Sequence, residues 1–143
     1  MIFLGNYSMT HSHKYLGNTM TIESNNLTER AEQSLIDIAV ESWRFSRLFA
    51  RVLNKLDAGE AARYANQLRY FQKKVYENLD AVELKFVNVE GQSFDIGMAV
   101  SALNIGDFEP DDELIVDQML EPIVMGPDGL KKQGTVMLKK EKL

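Results

Sequence analysis

Eight positions between residues 31 and 56 constrain this chain more than anything else in it. Ala31, Leu35, Ile38, Ser42, Phe45, Phe49, Val52 and Leu56 recur at alternating steps of four and three. That spacing is the seam of a helix that turns one apolar line toward a neighbour, and only Ser42 interrupts it. Trp43, Leu48 and Leu53 widen the line toward the broader face of a packed bundle. The pattern predicts a helix over about 27–56. Its start is placed at Asn26-x-x-Glu29, where a side-chain oxygen accepts an orphan amide hydrogen bond and the acid reaches back.

Asp57-Ala58-Gly59-Glu60 follows, a turn-permissive glycine inside a second Asp-x-x-Glu cap. Beyond it Tyr64, Leu68, Phe71, Val75, Leu79 and Val82 form another helical stripe. Two stripes joined by a short turn predict an antiparallel hairpin. One hairpin alone leaves each apolar face half covered, at roughly 25 cal/mol per Å² of apolar surface. Two hairpins packed as a four-helix bundle remove that exposure, so the expected dimer seam is Leu35, Ile38, Phe45, Phe49, Val52, Leu56, Tyr64, Leu68, Phe71 and Val75.

The period changes after Val82. Leu84 to Val89 reads as a strand, Glu90-Gly91-Gln92 as a turn and Phe94-Asp95 as the return. Residues 98–103 fit one helical turn or a short strand equally well. Leu114–Leu120, Ile123–Met125 and Thr135–Leu138 read as further strands, separated by Pro122 and the turn Gly126-Pro127-Asp128-Gly129. The expected organisation is a flexible tail over 1–26, a dimerising hairpin over 27–82 and a small, mostly antiparallel β domain over 83–143, an α+β chain.

Composition narrows the chemistry. The chain has 143 residues, a formal charge of −5 and no cysteine. An acidic surface repels phosphate backbones and anionic lipid, which argues against nucleic-acid and membrane partners. Without cysteine there are no disulfides, thiolate metal sites or cysteine nucleophiles. Apolar Met1–Leu4 gives way at once to Gly5 and Asn6, so no secretory h-region develops, and the cytoplasm is the expected compartment.

Candidate sites are few. His11 and His13, the only histidines, fall in the polar tail without further metal ligands beside them. Asp107, Glu109, Asp111, Asp112 and Glu113 gather five carboxylates in seven residues. An EF-hand loop counted from Asp107 needs glycine sixth and glutamate twelfth, and finds Asp112 and Gln118. A solvated acidic loop is the reading that remains. No nucleophile–base set or phosphate loop accompanies the acids, so no catalytic residue, cofactor or metal is expected. Arg44, Arg47 and Arg51 line one side of the first helix at steps of three and four, either a contact strip for an acidic partner or an ordinary solvated face. Met98, Met119, Met125 and Met137 read as core filler.

The order of parts resembles that of the GrpE nucleotide exchange factors, with dimerising helices ahead of a small β domain. Gly91-Gln92-Ser93-Phe94-Asp95 is similar to the family's Gly-x-x-Phe-Asp. Val116–Leu120 resembles the strand entering its last hairpin, and Leu130-Lys131 with Thr135–Leu138 its closing strand. The family's proline after Phe-Asp is Ile96 here, its His-Glu-Ala is absent, and its Arg-Pro-Ala is at best Lys131-Lys132-Gln133. The resemblance implies a shortened, divergent member: a non-catalytic homodimeric co-chaperone that promotes ADP release from a DnaK-type chaperone ATPase. It also implies Gly91, Phe94 and Asp95 as a structural anchor and Lys131, with Lys132 beside it, as a partner contact. The alternative is an adaptor of the same architecture that binds such an ATPase, or another protein, without exchange.

Overall fold

The computed structural model describes residues 6–142, with side chains from residue 19 onward. Its elements run α1 (Asn6–Leu53), α2 (Ala58–Asp80), β1 (Lys85–Val87), β2 (Val100–Ala102), a 3-10 turn (Ile105–Asp107), β3 (Leu114–Glu121), β4 (Ile123–Gly126), β5 (Gly129–Lys132) and β6 (Gly134–Lys140). The chain is α+β, as expected. It divides into two compact units, Met1–Asp37 and Ile38–Leu143, with α1 contributing to both.

In the first unit the described backbone is helical from Asn6. The helix start expected at Asn26 is therefore corrected, because Asn26 lies inside α1; of the expected tail, 6–26 is helical and 1–5 lies outside the described residues. Asn, Ser and Thr are weak helix formers, yet once a helix is nucleated each further residue adds a hydrogen bond, and no proline interrupts the segment. Thr28 Oγ1 donates to Ser24 O at 3.0 Å, and Gln33 Nε2 to Asp37 Oδ1 at 3.0 Å.

In the second unit α1 ends at Leu53, so Leu56 falls in the connecting turn. The cap predicted for α2 forms: extended Asp57 accepts from Gly59 N and Glu60 N at 3.1 and 3.0 Å. α2 closes where Glu83 takes φ 59° and Leu84 N reaches back to Leu79 O at 2.9 Å. Leu79 and Leu84 are both buried, the apolar contact that commonly accompanies such a helix end.

The strands form two three-stranded sheets, ordered β1-β4-β5 and β2-β6-β3. β1 pairs antiparallel with β4, and β4 with β5 through the turn at Gly126–Gly129, where Gly129 has φ 125°. β6 lies between β2, which it meets parallel, and β3, which it meets antiparallel with two register shifts. Phe94-Asp95 does not return along β1 as predicted: Ser93 bridges Ile115 of β3 instead. One core draws Val89, Val116, Met119, Ile123, Val136 and Leu138 from both sheets and the segment after β1, with Trp43, Phe94, Met98 and Phe108 packed against it. Among the methionines whose side chains are described, Met119 alone is fully buried.

Two details lock this core. Gly134 is buried where an added Cβ would meet Met119 Cε at 2.9 Å and Glu121 O at 3.0 Å, so a side chain there must push the neighbouring strand and Met119 aside. Asn104 Nδ2 donates to Leu138 O and its Oδ1 accepts from Leu138 N, both at 2.9 Å, so one side chain satisfies a strand's backbone pair.

Candidate partner-binding surface

Helical geometry puts Arg44, Arg47 and Arg51 on one side of α1, and all three line a shallow hollow of 230 Å³ with Gln118, Met119 and Leu120 of β3. They are not equivalent. Arg44 makes an exposed pair with Glu41 at 3.3 Å. Arg51 has no ion pair among the described residues.

Arg47 is engaged within the chain. Its guanidinium takes Glu90 in a forked ion pair, and its Cζ stands 4.8 Å from the centroid of the Trp43 ring. Glu90 Oε1 also accepts from Met119 N at 2.8 Å. A half-buried charge held on two sides is a joint between α1 and the β sheets rather than a free contact, because leaving it would strand Glu90. Of the arginine strip, Arg44 and Arg51 keep their outward reach.

Lys131 and Lys132 belong to β5 in the other sheet. Lys132 pairs with Glu121 at 3.5 Å, and the stem of Lys131 lies across Gly126. The lysines and arginines predicted as contacts therefore come from separate elements, α1 and β5.

The Gly91–Asp95 segment has a defined geometry. Gly91 takes φ 80°, a conformation that favours glycine, and its N–H donates to Val116 O at 2.8 Å. Phe94 N donates to Leu114 O at 2.8 Å, laying the segment along β3 while its ring packs on the core. Asp95 Oδ1 accepts from Gly97 N at 2.6 Å and its carbonyl from Met98 N at 3.0 Å, which fixes the turn presenting Ile96.

The predicted seam is partly used within the chain. Leu68 is buried, and Leu35, Phe49, Leu56 and Val75 are half-buried. Ile38, Phe45, Val52, Tyr64 and Phe71 stay exposed, and the Phe45 and Phe49 rings stack 6.0 Å apart. The line of α1 that the protein buries is the neighbouring one, through Ala39, Val40, Ser46 and Leu53 with Trp43 half-buried beside it. Beside this line Ser46 and Trp43 border a 190 Å³ hollow shared with Gln72, Tyr76 and Phe86.

Two carboxyls titrate below their ordinary range. Asp112 is lowered chiefly by the hydrogen bond from Glu109 N and further by Lys140, and Glu77 by Lys74 with help from Lys73. Among the described residues no three His, Cys, Asp or Glu side chains gather to hold a metal ion, and no helix is long and apolar enough to cross a membrane. The side chains of His11 and His13 lie outside the described residues. Comparison with protein-family models, curated proteins and solved structures finds no match.

Proposed function

We propose that this chain is a GrpE-like nucleotide exchange factor, a cytoplasmic, non-catalytic homodimer that promotes ADP release from a DnaK-type chaperone ATPase. The observation that carries the reading is the order of parts. A long helix and a capped second helix precede two small three-stranded sheets, and the Gly91-x-x-Phe94-Asp95 resemblance falls at the turn that ties the chain to β3. Exposed Ile38, Phe45 and Val52 at seven-residue steps on α1, with Tyr64 and Phe71 on α2, support self-association, because such stripes are stabilised by being covered. Arg44 and Arg51, with Lys131 and Lys132 of β5, supply cationic groups for an acidic partner surface.

Exchange by such a protein needs no reacting group. A partner that prefers the open nucleotide cleft shifts the ATPase toward it, and nucleotide weakens the complex by the same factor. The test is stopped-flow release of a fluorescent ADP analogue from a DnaK-type ATPase. Acceleration that saturates with added protein is the expected result.

The second reading, an adaptor that binds such an ATPase without exchange, draws on the departures from the family. Ile96 replaces proline, His-Glu-Ala is missing, and Arg47 is spent on Glu90. Binding with an unchanged ADP off-rate would select it.

A further inference from the structure

On the second unit the loop at 93–96 and the loop at 105–114 enclose a groove of 780 Å³. Its apolar lining includes Phe94, Ile96, Ile105, Phe108 and Leu114. Ile96 is 96% exposed and Ile105 49%. Ile96 is not on a loose end: the Asp95 turn, closed by Gly97 N and Met98 N, holds it out.

The lip is acidic, and its carboxylates divide into two kinds. Asp112 is satisfied within the protein, accepting from Glu109 N at 2.9 Å and pairing with Lys140 at 3.2 Å. Glu109, Glu113 and Glu141 have no ion pair among the described residues. They surround an apolar floor, where a covering surface without cations would desolvate them uncompensated.

We infer that this groove docks a segment of a partner protein in which an apolar side chain is flanked by lysine or arginine. The apolar residue covers Ile96 and Ile105, and the flanking cations meet Glu109, Glu113 and Glu141. Lys140, which reaches the same lip, is already paired with Asp112, so the cations for Glu109, Glu113 and Glu141 come from another molecule. The inference does not rest on nucleotide exchange.

The experiment titrates the isotope-labelled full chain with three synthetic peptides of equal length, alternating Lys/Leu, Glu/Leu and Lys/Ser, and follows amide chemical shifts. The Lys/Leu peptide shifts Ile96, Ile105, Phe108 and Glu113, and the other two do not. Ile96→Ser and the pair Glu109→Gln with Glu113→Gln each weaken it about tenfold, with the thermal midpoint unchanged. Shifts confined to the helices overturn the inference, as does equal binding of Lys/Ser, which would mean charge alone. Displacement of the peptide by calcium, or the same shifts appearing with protein concentration and no peptide, would assign the groove to a cation or to a second copy and overturn it too. Exchange activity is read separately in the ADP assay, so either idea can fail while the other stands.

Discussion

In the sheets, Val116, Val124 and Val136 keep at most 1% of their surface in water, whereas on the helices Ile38, Phe45, Tyr64 and Phe71 keep between 38% and 66%. The strands close over these core residues within one chain, while Ile96 and Ile105 of the connecting loops stay exposed. The helices bury only one line of theirs, through Ala39, Val40, Leu68 and Leu79. Apolar exposure on this scale opposes solubility unless another surface covers it, and the self-association proposed above would cover it on the helices.

The contrast is broken most directly by Phe45→Glu. A charge in the exposed stripe weakens self-association at least about 100-fold in sedimentation analysis, with the β region's amide shifts unchanged. A stable wild-type monomer at micromolar concentration would remove the assembly half of the comparison. On the other side, Gly134→Ala and Asn104→Ala each cost about 2 kcal/mol in urea denaturation. The first overpacks Met119 and Glu121 O, and the second strands the N–H and carbonyl of Leu138. Neither changes the oligomeric state.

A smaller effect tests the joint between the regions. Arg47→Met and Glu90→Gln each cost about 1 kcal/mol, less together than their sum, and redden the emission of Trp43, the only tryptophan. The smallest is the pH response of Asp112. Its carboxyl is lowered in the fold, so its contribution is full above the ordinary aspartate value of about 4 and is lost as pH falls through the lower native value. Asp112→Asn removes that acid-side sensitivity from the thermal midpoint.

Local chemistry made much of this fold legible. Asp57 capped α2 as its spacing required, and the apolar runs of β3, β4 and β6 appeared as strands. What escaped depends on partners far along the chain. β2 is a strand because β6 lies beside it, and β5, with two lysines among its four residues, exists through its hairpin with β4. The start of α1 was missed because a polar, glycine-containing segment carries no apolar period to mark it. At the site, the arginine strip was visible as a helical spacing, but its division was not. Glu90 lies 43 positions from Arg47, and nothing in either neighbourhood announces the pair. Asn104 likewise reads as a loop residue until the backbone of β6 is set against it.

The strand order also sets a calendar for synthesis. α1 and α2 need only their own residues, whereas β1 waits for β4, and β2 and β3 both wait for β6, which is the last of the strands yet lies at the centre of its sheet. On a growing chain the helices exist while every strand of that sheet is still unpaired. Under the self-association proposed above, two nascent chains on one message meet through their helices before either has a finished β region, and association precedes, rather than follows, completion of the fold.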